Sequence, residues 1–419
     1  MVAIQRGARW WIAFCLGALT TVALVGIVVA MMFKYVNVPT FDPNKLQTPV
    51  GTDYFSVQYM TTYEALGAYT IPVEIGTNST VTMATLLDTG SSDAWFTSGY
   101  SGYPSSSATF ETVPGRTFNV NYLGGTVTGT IGSDQLGING YVWSQSFGVV
   151  TSTSMALGQV KGLIGLSRGG TSDLTSPSYW ALKTSVLSFY YDSDSWQGVF
   201  TSGFIDTKLY CAPGQSMVYT PQLGNYYWAG KIDLIVNGVT VGRDLTTVFD
   251  TGSTYMYLQP SIYSKAMGNL AGDACNNPVV GIKISGRVFN IPSSVLRQDS
   301  AGECKLRMDS FGRNGLSQDV LLGAVFLVNF YSVFDIANDR IGFCVAQKGI
   351  ARRLQEREFV DKRKEECTDK CQGEYSLSNK DVLYSENDKP IDSVAVSRLL
   401  DIPERLINPR WKTDKTLSL

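Results

Sequence analysis

The chain has 419 residues, a formal net charge of −2, 17% charged residues, 41 glycines and no histidine. That length exceeds what one core supports, so two lobes with appendages are expected, and the near-neutral balance gives no reason to expect nucleic acid as a partner. The lack of histidine excludes Ser-His-Asp and Cys-His catalysis, histidine-based zinc centres and imidazole proton shuttles, which leaves acid/base work to carboxylates, Lys, Tyr or Cys.

Abundant glycine, tyrosine and phenylalanine with sparse charge suit an all-β protein with many turns. Residues 1–9 carry Arg6 and Arg9 and precede 24 uncharged residues, 10–33 (WWIAFCLGALTTVALVGIVVAMMF). At about 1.5 Å per residue this run can cross a hydrocarbon core of about 30 Å. The competing reading, a cleaved signal peptide, calls for an apolar region of about 7–15 residues and a small-residue cleavage site, which Met31-Met32-Phe33 does not provide. Only Lys34 follows the span directly, so the charge bias puts residues 1–9 in the cytosol and the remainder in a lumen or outside the cell. The expectation is a single-pass type II membrane protein.

Residues 34–65, bearing Pro, Thr and Asp, read as a stalk or short prosegment leading to a first strand over residues 69–75. Asn78-Ser79-Thr80 is either a glycan acceptor or an ordinary hairpin turn. Residues 85–95 read TLLDTGSSDAW: the apolar pair Leu86-Leu87 feeds Asp88 into a tight turn whose glycine accepts unusual dihedral angles. Beyond a Ser/Gly/Tyr-rich loop, residues 116–122 and 126–131 alternate in polarity around Leu123-Gly124-Gly125, predicting a β-hairpin with a glycine-rich tip. Tyr122 beside that tip suits a movable cover for a cleft, or a tyrosine packed on a surface hairpin. Residues 161–167 (KGLIGLS) read as a buried strand with close-packing glycines, and Trp228 falls in a loop region before strand signals at residues 232–241.

The second half then repeats the first. Residues 246–257 (TTVFDTGSTYMY) deliver Asp250 after the apolar pair Val248-Phe249 into another Asp-Thr-Gly-Ser turn, 162 residues after Asp88. Residues 320–326 (VLLGAVF) echo residues 162–166, so the period implies a duplicated lobe, each copy contributing one aspartate. A lone Asp-Thr-Gly turn carries little information, and the second copy gives it meaning. Composition shifts sharply at residue 350: residues 351–419 hold 14 basic and 14 acidic residues, a segment that is helical in part (352–366) or disordered, with no catalytic role expected.

Two carboxylates about 3 Å apart cannot both ionise cheaply, so one keeps its proton while the other acts as a base. The ionised member can take a proton from an intervening water while the other donates to a carbonyl oxygen. The shared-proton aspartic protease pair is the standard worked case of this chemistry. Thr89 and Thr251 can lock the opposing turns, and Ser91 and Ser253 can bond the outer carboxylate oxygens. A carboxylate pair also hydrolyses glycosides, but at about 5 Å separation or more and with no need for identical turns.

Over residues 66–347 the chain resembles the pepsin family (A1) of aspartic endopeptidases, through DTGSSDAW, FNVNYLGGTVTG, GLIGLS, FDTGST and LLGAVFLVNFYSVFDIANDRIGF. The resemblance implies an all-β, bilobal acid protease fold with a six-stranded interlobe sheet, the N-terminal lobe spanning 66–208 and the C-terminal lobe 209–349, followed by the tail 350–419. It implies Asp88 and Asp250 as the catalytic pair, supported by Thr89, Gly90, Ser91, Thr251, Gly252 and Ser253. Tyr122 becomes the flap tyrosine with Gly124 at the flap tip, and Trp95 the residue that bonds Tyr122. It implies polypeptide substrates, a monomeric catalytic domain, no cofactor and no metal, and a disulfide between Cys275 and Cys304.

Several features depart from that pattern. Leu123 follows the flap tyrosine where the family more often has glycine, no cysteine lies between Cys15 and Cys211, and Lys45 is the only stalk candidate for the prosegment lysine that bridges the pair. Cys211 and Cys344 form either a second bridge near the lobe junction or two free buried thiols, and Cys367 and Cys371 fall in the tail. The expected activity is an aspartic endopeptidase; the alternative is an inactive binding or inhibitor protein on the same fold.

Overall fold

The computed structural model describes residues 56–63, 68–77, 81–138, 141–169, 184–192, 197–270, 277–300, 303–311 and 317–350. The apolar run 10–33, Asn78, Cys275 and the charged tail lie outside them. Among the described residues no helix is long and apolar enough to cross a membrane.

The protein is mostly β and bilobal. Each lobe is organised around the strand that delivers its aspartate, and the two are wired alike. In the first, Val81–Asp88 runs parallel to Gly162–Gly165, with Asp88 opposite Gly165, and Gly162–Gly165 runs antiparallel to Ala94–Thr97. In the second, Val239–Phe249 runs parallel to Val320–Leu322, which pairs antiparallel with Met256–Leu258. The duplication read from the sequence is therefore a duplication of strand pairing, not only of motif. Gly162–Gly165, Val320–Leu322 and the last residues of the two aspartate strands are buried on both faces, so these stretches read as short apolar runs.

Between the lobes six strands form one continuous sheet, in the order Val218–Pro221, Arg340–Val345, Phe330–Asp335, Val186–Asp192, Gln197–Ser202 and Ser56–Tyr63. The join is antiparallel, Ser332 opposite Phe189 and Asp335 opposite Val186. Within the stretch 34–65, Ser56–Tyr63 is a strand whose backbone pairs with Gln197–Ser202 on one side and with Ala68–Ile75 on the other. Its Thr, Gln and Tyr residues carry no strong apolar signal, and most of its hydrogen-bonding partners lie some 140 residues downstream.

The hairpin is longer than the sequence suggests. Glu111–Tyr122 pairs with Gly125–Ile138 through Tyr122 opposite Gly125, so the tip is the two residues Leu123-Gly124, and Gly125 belongs to the return strand with φ of 138°. The second lobe opens on a hairpin turned at Asn237-Gly238, both at positive φ (46° and 80°), as a two-residue type I′ connection requires. Its one sizeable helix, Pro260–Leu270, has proline in its first turn and buries Ile262, Ala266 and Leu270, one residue every four.

A disulfide joins Cys211 to Cys344, both buried, with Cα atoms 5.7 Å apart, which decides between the two readings left open for this pair. Cys304 is also disulfide-bonded.

Candidate active site

The two Asp-Thr-Gly turns meet at the lobe junction, and each threonine is spent on the opposite turn. The Thr89 N–H donates to Thr251 Oγ1 at 3.0 Å and the Thr251 N–H to Thr89 Oγ1 at 3.0 Å. Each hydroxyl then donates across the junction, Thr89 to the Phe249 carbonyl at 2.9 Å and Thr251 to the Leu87 carbonyl at 2.6 Å. Four buried hydrogen bonds thus tie the strand ends that carry the aspartates, and a buried polar network of this kind rigidifies only when every member is satisfied.

Glycine follows each threonine for a steric reason. A Cβ on Gly90 would fall into the Asp250 carboxyl group, and one on Gly252 into that of Asp88. The carboxyls therefore lie against the opposing turn's backbone. Each is held the same way: Gly90 N–H to Asp88 Oδ1 at 2.8 Å and Ser91 Oγ to Oδ2 at 2.5 Å, then Gly252 N–H to Asp250 Oδ1 at 2.8 Å and Ser253 Oγ to Oδ2 at 2.6 Å. Both aspartates are buried, at 5% and 6% exposure.

Electrostatics follow from this packing. Burial first, then the charge of Asp250 and a hydrogen bond to its carboxyl, hold the Asp88 carboxyl well above the usual range, while Ser91 and the Gly90 N–H pull the other way. The pair therefore retains a proton into a range where isolated carboxyls have lost theirs.

Tyr122, at the end of the strand Glu111–Tyr122, is coupled to this site through its hydroxyl. Its hydroxyl accepts from Trp95 Nε1 at 3.0 Å, and Trp95 is fully buried. Burial, with the charges of Asp88 and Asp93 behind it, pushes the Tyr122 phenol far above its ordinary range, and hydrogen bonds to Trp95 and Ser91 oppose the shift. A chain of contacts thus runs from Trp95 through Tyr122 and Ser91 to Asp88. Gly124 sits exposed at the tip with only the Met155 side chain near its Cβ position, at 3.9 Å, so no close approach demands glycine there.

Three neighbours of the site escape a sequence reading. Tyr227 is half-buried, and its phenol is pushed upward by burial and by the charges of both Asp250 and Asp88. Asp93 is a further buried acid inside the first motif. Trp228 is completely buried, its indole N–H donating to the Leu166 carbonyl at 2.8 Å. The aromatic run Tyr226-Tyr227-Trp228 is the one sequence signal that marks the latter part of this set. Among the described residues no group of three or more acidic or cysteine side chains is arranged to hold a metal ion.

Comparison with known proteins gives the same picture. The eukaryotic aspartyl protease family profile matches residues 68–346. The chain is 27% identical over 361 residues to gastricsin of Callithrix jacchus, covering 75% of this chain and 90% of that protein. It is 28% identical to gastricsin of Homo sapiens over 68% of this chain and 84% of the relative. It is 31% identical to the aspartic-type endopeptidase ctsD of Aspergillus fumigatus over 54% of this chain and 52% of the relative.

Proposed function

The chain belongs to the eukaryotic aspartyl protease family, and from that premise we propose that it is an aspartic endopeptidase in which Asp88 and Asp250 activate a water and Tyr122 covers the cleft. The observation that carries the reading is the raised Asp88 carboxyl beside Asp250, since one retained proton makes the pair an acid and a base at once. A peptide in extended conformation lies across the junction, the ionised partner takes a proton from the water, and the other donates to the scissile carbonyl oxygen. The tetrahedral adduct then collapses with departure of the amine. The threonine exchange between turns holds the two carboxyls in register for this, and Ser91 and Ser253 orient their outer oxygens.

The test is cleavage of an unfolded protein by the full-length chain at mildly acidic pH. Asp88→Asn should lower kcat/KM by about 10³-fold or more; full activity in that variant would sink the assignment.

The uncharged run 10–33 supports anchoring, with the catalytic domain luminal or extracellular, monomeric and open to glycosylation at Asn78. N-terminal sequencing of the protein taken from its native membrane should return residues upstream of 10; a start beyond residue 33 would argue for processing instead.

A further inference from the structure

Building on the hydrolytic reading above, we propose that Trp228, braced by Arg168, is a positioning residue that fixes the roots of the two aspartate turns relative to each other. The two lobes part company just after their matched glycines. Beyond Gly323 the second-lobe chain enters the short helix Ala324–Leu327, whereas beyond Gly165 the first-lobe chain forms no helix and, over residues 166–169, bonds to second-lobe residues.

Leu166 is the first residue of that crossing. Its N–H donates to the Asp88 carbonyl at 2.6 Å, and its carbonyl receives the Trp228 indole N–H at 2.8 Å. The Trp228 carbonyl in turn accepts from the N–H of Phe249, the residue before Asp250, at 2.9 Å. One second-lobe residue is thus bonded through its side chain to Leu166, whose N–H holds the Asp88 carbonyl, and through its backbone to Phe249, the residue before Asp250. The threonines join the turns at their tips; Trp228 joins them at their bases.

The direction of the indole is set by its hydrogen bond to Leu166 and by the Arg168 guanidinium 5.2 Å from its ring centre, whereas Phe334 only packs on it, edge-on with ring centroids 5.2 Å apart. Arg168, only 9% exposed, is held in turn by Asp339 Oδ1 of the second lobe at 2.5 Å. The next residue closes the clasp: the Gly169 N–H donates to the Tyr226 carbonyl at 3.2 Å, and a Cβ there would come within 2.5 Å of the Asn225 carbonyl oxygen. Every one of these contacts crosses from the first lobe to the second or braces one that does. Since the pair works only while both carboxyls share one water, a small rotation at the bases misplaces the reacting groups without altering what the cleft binds.

The experiment compares four full-length proteins: wild type, Trp228→Phe, Arg168→Lys and Phe334→Leu. Trp228→Phe deletes one N–H and keeps a ring; Phe334→Leu loosens the packing on that ring and leaves its hydrogen bonds in place. Trp228→Phe should lower kcat about tenfold with KM within about twofold, and move the pH profile of kcat/KM. Arg168→Lys should do the same to a lesser degree. Phe334→Leu should lose at least as much melting temperature while keeping the wild-type pH profile. An activity-independent readout accompanies these, the slope of unfolding free energy with pH between about 4 and 7, whose difference from the wild-type slope isolates a change in the carboxyl pair from the other titrating groups. It should change in Trp228→Phe and not in Phe334→Leu.

Unchanged kcat and slope in Trp228→Phe, or equal changes in Phe334→Leu, overturn the proposal. Should Trp228→Phe fail to fold, wild-type kcat and slope in Arg168→Lys overturn it equally. A wild type that cleaves nothing defeats the hydrolytic reading instead, and the slope comparison still judges the clasp.

Discussion

Ser91 answers two demands with one hydroxyl. It donates to Asp88 Oδ2 at 2.5 Å and also bonds the Tyr122 phenol, so it links the hairpin to the carboxyl whose proton affinity it lowers. Removing it in Ser91→Ala leaves burial and the Asp250 charge less opposed, so the Asp88 carboxyl rises further. The limb of kcat/KM that falls as pH rises should then move to higher pH in a profile taken against the wild type. The same shift has a thermodynamic counterpart. A folded-state value raised above the ordinary 3.8 means that the Asp88 contribution to stability is whole below that pH and is lost as pH climbs through the raised value. Asp88→Asn carries no such group, so its stability relative to the wild type should increase between about pH 4 and 7 in denaturant titrations. A constant difference across that window would contradict the assignment of the raised proton affinity to this carboxyl.

At the scale of elements, the matched strands pack so closely behind the turns that glycine is enforced on both sides. A Cβ on Gly165 would sit 2.6 Å from the Ser91 carbonyl oxygen and 2.7 Å from the Asp93 nitrogen, backbone atoms that cannot swing aside. Gly165→Ala should cost about 1–3 kcal/mol in a urea titration and reduce activity with it. Gly268 provides the contrast: it lies exposed in the helix Pro260–Leu270 with nothing within 4 Å of its Cβ position. Gly268→Ala should therefore stabilise by about 0.5–1 kcal/mol in the same titration. Legibility in the sequence follows the same division. The strand ends at Asp88 and Asp250 are readable because burial there forces an apolar pair and the turns force a fixed motif. GLIGLS was legible as a buried strand and VLLGAVF as its echo, although the latter changes from strand to helix at Gly323, while the pairing of each with its aspartate strand had no local signal. Ser56–Tyr63 was hidden because its identity as a strand depends on backbone partners far along the chain. Trp228 was hidden for a related reason: an indole N–H meeting the Leu166 carbonyl is a tertiary fact with no local signature.

For the molecule as a whole, the lobes are held by the shared sheet, and a disulfide inside the second lobe fastens that lobe's share of it. The Cys211–Cys344 bridge closes a separation of 133 residues and packs beside Tyr190, Tyr210 and Tyr331 beneath the interlobe strands. A loop of that size is worth about 4–5 kcal/mol in the chain-entropy account. Cys211→Ala with Cys344→Ala should show a loss of that order in denaturant, and reductant should then have less effect on the double variant than on the wild type. The main apolar cluster includes residues of both lobes, from Ile71 to Phe343, so the lobes should unfold in one transition.

The order of strands in the interlobe sheet also sets a clock. Phe330–Asp335 and Arg340–Val345 are the last strands of the described chain, yet they complete the sheet that begins at Ser56–Tyr63. A ribosome adding about 5–20 residues per second exposes the first aspartate turn well before its partner, and the closing strands later still. During that interval each turn is a lone carboxyl with its threonine unpartnered. On the hydrolytic reading proposed above, the nascent chain is harmless to itself and to its neighbours for as long as it is being made, because the paired centre forms only with the sheet that joins its halves.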